Sequence, residues 1–275
     1  FAWDNYLFSI QQQISNVKKF EEANNQIFIA AYGLQDELSP EVPESQITLA
    51  RADREKDCQR LISYAIGCMM GRYSLDEPGL IYAHAGHADF PPGTYAPFPA
   101  DADGIVPVTH ELCFADDACS RIREFLRAVW GPDTLEENMA WLAESVGTKA
   151  SETPDETIRR YIADKFFKDH LQTYKKRPIY WLFSSGKQGA FQALVYLHRY
   201  HEGTLARLRA EYVVPLTGKI QSRIEMLQKD AAAASSTAAR NKLAKEVEKL
   251  KKKHVELLAC ATTPTCASPW IWMMG

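Results

Sequence analysis

Lys175, Lys176, Arg177 and Lys187 flank a short apolar run that contains Tyr180 and Trp181. Cationic side chains next to aromatic ones pair with phosphates and stack on bases, so these four residues are the candidate contacts to a nucleic-acid backbone. The plainer reading is a solvated helix end followed by a core strand. Ser185-Gly186-Lys187 lies between that run and a helix predicted over 190–200, and helix N-termini bind phosphate. A nucleotide-binding P-loop would also need glycine at Trp181 and serine or threonine at Gln188, so a P-loop ATPase is not expected. What is left there is a lone phosphate contact, or a tight turn with a solvated lysine.

Metal chemistry has one opening. His84, His87 and Asp89 have ligand-like spacing, but no rigid element holds them and no certain fourth ligand stands nearby, so no metal is expected. His198 and His201 read as surface or core-edge residues. The lysine run Lys249, Lys251, Lys252 and Lys253 reads as the wet face of a helix.

The elements that must position these residues are mostly helices. Ile10, Ile14, Val17, Phe20, Ala23 and Ile27 recur with helical period, and Gly33 offers a C-cap. A second helix covers 55–70. Asp116 and Asp117 can cap a third, through Ile122, Phe125, Leu126 and Val129. Thr134 with Glu137 and Thr153 with Glu156 form capping boxes for two more, the latter with Pro154 at the first helical position. Ile179-Tyr180-Trp181-Leu182-Phe183 reads as one buried aromatic strand. A helix over 205–212 is expected to break at Pro215.

The fold class is therefore mainly α, or α+β with minor strand content. We expect a helical spacer over 1–75, a Pro/Gly-rich loop over 76–108, and a helical domain over 109–216 with its strand at 178–184. A coiled-coil-like antiparallel hairpin follows over 217–259, where Leu243, Val247, Leu250, His254 and Leu257 form a seam. The loop reads equally as a functional excursion or as disorder.

Composition sets limits on function. Hydrophobic residues make up 46% of the 275-residue chain and the net charge is −3, so it should fold but lacks a global basic field for nucleic acid. The six cysteines form no metal-like pairs and read as small buried side chains in a reducing compartment. No signal peptide or membrane span is evident, which makes the cytoplasm the default and a membrane partner unexpected. The opening Phe1-Ala2-Trp3-Asp4-Asn5-Tyr6 reads as the interior of a longer sequence.

Three stretches together resemble one family. They are Glu22-Ala23-Asn24-Asn25-Gln26-Ile27-Phe28-Ile29-Ala30-Ala31-Tyr32-Gly33-Leu34, then Leu61-Ile62-Ser63-Tyr64-Ala65-Ile66-Gly67-Cys68-Met69-Met70-Gly71-Arg72-Tyr73-Ser74-Leu75-Asp76, and Tyr174-Lys175-Lys176-Arg177-Pro178-Ile179-Tyr180-Trp181-Leu182-Phe183-Ser184-Ser185-Gly186-Lys187. They resemble the C-terminal portion of the PglX family, the large adenine-specific DNA methyltransferases of BREX (bacteriophage exclusion) defence systems. The likeness runs from near Phe1 to about Ala259. It implies a parent that methylates N6 of adenine with S-adenosylmethionine, marking host DNA as self, with double-stranded DNA and other BREX proteins as partners.

The resemblance assigns no catalytic or cofactor-binding residue here. Adenine methylation needs a polar residue, two prolines and an aromatic, to hold and stack the flipped base. Pro91-Pro92 is the sole Pro-Pro pair and lies between Phe90 and Gly93, so both partners are wrong. No glycine-rich turn suits the cofactor. The expected role is non-catalytic: helping DNA target recognition or assembly, with a helical scaffold that docks other defence proteins through the terminal hairpin as the alternative.

Beyond Ala259 the likeness stops. The tail over 260–275 has no helical period, and we expect it to be non-native or disordered. Reading from the third base of Cys260 with permitted codons allows a polar, patterned peptide, so a frameshift would account for the abrupt loss of likeness.

Overall fold

The computed structural model describes residues 2–84, 90–111 and 113–262. His87, Asp89 and most of the expected tail lie outside those residues. The chain divides into two compact units, Phe1–Asp57 and Cys58–Gly275.

The first unit is built on α1 (Ala2–Tyr32). Gly33, at φ 67°, closes it, and Leu34 N donates back to Ile29 O at 2.9 Å. Left-handed backbone costs glycine no steric penalty, which makes it a natural helix stop. The following loop returns along the helix: Glu22 Oε1 accepts from Val42 N at 3.1 Å, and Val42 and Ile47 bury against Ile14. The apolar stripe read from the sequence is only half used. Ile10, Ile14 and Val17 pack, whereas Phe20 and Ile27 are exposed.

The second unit is a three-layer arrangement around a small antiparallel sheet. Its strands are β1 (Ile105–Pro107), β2 (Tyr180–Ser184) and β3 (Gln192–Tyr196), in the order β1-β3-β2. Tyr180 pairs with Tyr196, Trp181 with Val195 and Phe183 with Ala193. Side chains alternate across a strand, and here both faces are covered. Tyr180, Leu182, Leu194, Tyr196 and Val106 join one core; Trp181, Phe183, Ala193, Val195 and Ile105 join the other.

The first core gathers four helices: α2 (Arg54–Met69), α3 (Ala118–Trp130), α4 (Leu135–Val146) and α5 (Pro154–Tyr161). Ile62, Phe125, Met139 and Ile158 are buried in it. Cys68 and Cys119 belong to it as well, and burial raises their thiols to about 11 and about 12. Asp117 caps α3 through Ser120 N at 2.8 Å, and the Thr153–Glu156 capping box is present. At α4 the expected box does not form: Thr134 Oγ1 donates to Trp130 O at 3.3 Å and no side-chain cap is made. The preceding helix end competes successfully for that hydroxyl.

After α5, a π turn over Ile162–Phe166 leads into α6 (Phe167–Thr173). The second core holds α7 (Thr204–Arg207), α8 (Val214–Ala233) and α9 (Thr237–Thr262). Leu216, Ile220, Ile224 and Leu227 of α8 close with Val247, Leu250 and Leu257 of α9, forming the helical hairpin.

Three further expectations are corrected. The helix expected over 190–200 contains β3, the central strand, because Gln192–Tyr196 finds backbone partners on both sides. Pro215 does not break the helical course. It lies in the first turn of α8, and the π turn Leu208–Val213 before it relaxes the clash a proline makes with the carbonyl four residues earlier. The described part of 76–108 is packed rather than loose, with Tyr82, Tyr95, Phe98 and Val106 buried.

Candidate functional site

The four sequence-predicted cations are all exposed, and the structure parts them into two groups. Lys175, Lys176 and Arg177 form the turn between α6 and β2. Lys176 N donates to Leu171 O at 2.7 Å and Arg177 N to Tyr174 O at 2.9 Å, closing the helix end. Lys175 and Lys176 adopt φ of 49° and 63°. That is the left-handed region, and it costs an L residue about 1–2 kcal/mol.

His170 holds this turn from beneath. Its Nε2 accepts from Ile179 N at 3.1 Å, so the ring must be neutral there. Tyr174 and Tyr180 flank the ring at 4.6 and 4.9 Å between centroids. Burial, with the Arg72 guanidinium adding to it, lowers its pKa to about 4.

Lys187 stands at the other end of β2, a strand about 16 Å long at ~3.3 Å per residue. Its turn joins two strands, so the helix N-terminus expected after Ser185-Gly186-Lys187 is absent. An internal carboxylate instead holds the donors that a phosphate would need. Glu256 of α9 accepts from Ser185 Oγ at 2.7 Å, Gln188 N at 2.7 Å and Ala190 N at 3.1 Å. Gly186 is at φ 146°, and a Cβ there would meet Glu256 Oε2 at 2.7 Å. A side chain at 186 would therefore dislodge the cap.

Sequence reasoning did not find what lies beside this turn. Gln188, Ala244, Lys245, Glu248, Lys249 and Lys252 line an open groove of about 420 Å³. The signal was available as i, i+4, i+7 spacing on α9. The lysine run also divides: Lys249, Lys251 and Lys252 are exposed, while Lys253 is 8% exposed and pairs with Glu111 at 3.3 Å.

Two other motifs are used internally. Phe90, next to Pro91-Pro92, stacks on Tyr95 at 5.2 Å and carries the Arg199 guanidinium at 3.9 Å. His198 Nδ1 lies 3.1 Å from His84 O, and no group of three or more metal-ligating side chains occurs among the described residues. No helix among the described residues is long and apolar enough to cross a membrane.

No protein-family model matches the chain. Adenine-specific methyltransferase BrxX of Escherichia coli O9:H4 (strain HS) is 48% identical over 223 residues, which are 78% of this chain and 18% of that protein. Adenine-specific methyltransferase PglX of Lacticaseibacillus casei (strain Zhang) is 39% identical over 260 residues, 94% of this chain and 21% of that protein. The chain thus spans about a fifth of the length of the curated relatives it matches. Identities of 39–48% that extend across most of its residues make this chain a PglX-like protein.

Proposed function

We propose that this chain is a non-catalytic, C-terminal segment of a BREX adenine-specific DNA methyltransferase, acting in the cytoplasm to help hold target DNA. The observation that carries the reading is the identity to BrxX and PglX over most of the chain. Chemistry and cofactor belong to other parts of the whole protein. The turn after β2 does not fit S-adenosylmethionine, because it runs directly into β3 and its amides are held by Glu256. Phe90-Pro91-Pro92-Gly93 has no polar residue to accept from an adenine amine. Lys175, Lys176, Arg177 and Lys187 are the proposed phosphate contacts, exposed at the two ends of β2.

Two assays test this. The purified chain, given duplex DNA and labelled S-adenosylmethionine, should transfer no methyl group to adenine. It should bind duplex DNA in a salt-sensitive gel shift, and replacing the four cations with glutamine should flatten the dependence by up to about 0.9 in log–log slope per lost contact. Methyl transfer by the chain, or an unchanged slope, refutes the corresponding half.

A second reading, a scaffold that docks other BREX proteins, draws on α1. Phe20, Ile27, Phe28 and Tyr32 are each more than 60% exposed there, and a row of exposed apolar side chains marks an interaction surface. Absence of any DNA shift, together with capture of purified BREX proteins by the chain, would favour it.

A further inference from the structure

Helix α9 turns one face to α8 through Val247, Leu250 and Leu257. With 3.6 residues per turn, Lys245, Lys249, Lys252 and Glu256 fall on a different stripe. Glu256 ends that stripe at the β2–β3 turn, which brings Lys187 and Gln188 to the end of the lysine row. The groove between turn and helix is lined by Gln188 and all three lysines.

The charges here are unevenly used. Each carboxylate on this part of α9 is engaged: Glu246 with Arg223 at 3.6 Å, Glu248 with Lys251 at 3.1 Å, and Glu256 with the turn. Lys187, Lys245, Lys249 and Lys252 are exposed, and none has an ion-pair partner among the described residues. The result is a local positive track on a chain whose net charge is −3. From Lys245 to Lys252 the helix rises about 10 Å. Four successive phosphates on one strand of duplex DNA span about the same axial length, at ~3.4 Å between charges. Ala244 is the single apolar side chain lining the groove, so it lacks the apolar anchors on which protein–protein interfaces depend.

We infer that Lys245, Lys249 and Lys252, extended by Lys187, form a track for the phosphodiester backbone of nucleic acid. This rests on the DNA-holding reading above and deepens it by naming a surface on the terminal hairpin. Glu256 serves the track indirectly, by fixing the turn that carries Lys187.

The test uses the full chain and a short duplex of arbitrary sequence, with affinity measured by fluorescence anisotropy as salt is varied. Lys245→Gln, Lys249→Gln and Lys252→Gln are combined in one variant, and its far-UV spectrum and melting temperature are checked against the parent chain. Expected is a fall of about 2–3 in the log–log salt slope, with a further ~1 on adding Lys187→Gln. A parallel variant neutralises Lys175, Lys176 and Arg177. If the chain binds DNA and the α9 variant keeps the parent slope, the track is overturned while the DNA-holding reading stands. If the unaltered chain binds no DNA, both fall. If the α9 variant loses binding to a polyglutamate probe but keeps its DNA affinity, the surface takes an acidic protein and the inference is overturned.

Discussion

Glu256 Oε1 accepts from Ser185 Oγ at 2.7 Å, across 71 residues of sequence, and so joins α9 to the β2–β3 turn. The same carboxylate takes the amides of Gln188 and Ala190. Removing it leaves three donors in a tight turn without their acceptor. Glu256→Ala should cost about 1–3 kcal/mol in urea unfolding. Ser185→Ala made on top of it should cost less than it does in the parent chain, since the two share one interaction. Full additivity of the two substitutions would show that the Ser185–Glu256 hydrogen bond contributes nothing.

His170 makes stability depend on pH. Its pKa is about 4 in the fold, lowered by burial and then by Arg72, against an ordinary 6.5. The unfolded chain therefore takes up the proton first as pH falls. The stability associated with neutral His170 is complete above the unfolded value and is lost between 6.5 and about 4. The loss across that window should be about 3 kcal/mol. Asp103 works in the opposite direction, because burial first and then Asp101 raise its carboxyl to about 7. The measurement is consequently a difference: urea unfolding at several pH values for the parent chain and for His170→Gln. The parent should lose more stability on acidification than the variant, and equal losses would contradict the assignment.

Phe183 and Trp181 share a face of β2 but not a depth. Phe183 is 5% exposed within the second core, whereas Trp181 is half-buried against Tyr200 at 4.9 Å. Phe183→Ala should cost about 3–5 kcal/mol, the range for a fully enclosed aromatic, and Trp181→Ala less. Chemical denaturation of both variants gives the order, and a larger cost at Trp181 would mean that this face is more enclosed than described.

Asp117 does two jobs at the N-terminus of α3. It caps the helix through Ser120 N and takes the Arg159 guanidinium of α5 at 2.5 Å, with both side chains nearly inaccessible. Asp117→Ala leaves a buried cation unpaired and removes the cap, and should cost about 3–5 kcal/mol. Arg159→Met removes the cation while Asp117 keeps its cap, and should cost less by thermal unfolding. The reverse order would mean that leaving the Asp117 carboxylate unpaired costs more than losing the cap and leaving the Arg159 guanidinium unpaired.

Much of the helical framework was legible in the sequence, because its signals are local. Gly33 stops α1, Asp117 starts α3 and the Thr153–Glu156 box starts α5, each acting within one turn of its own helix. The run around Tyr180 was legible as a strand for the same reason, as a short apolar and aromatic segment after a proline. Its partner was not. Gln192–Tyr196 becomes a strand only because β1 and β2 approach it from either side, and a short apolar run carries no period that separates strand from helix. Tertiary structure also decided the chemistry of the turn. Ser185, Gly186 and Lys187 are the residues that a phosphate cradle would use, and a carboxylate from a distant helix fills it. The same packing puts Lys187 at the far end of β2 from Lys175, Lys176 and Arg177 and sets its neighbour Gln188 beside Lys245, Lys249 and Lys252. Sequence proximity across a strand is not spatial proximity, because an extended segment adds about 3.3 Å per residue. The hairpin of α8 and α9 folds back and supplies neighbours that no local pattern names.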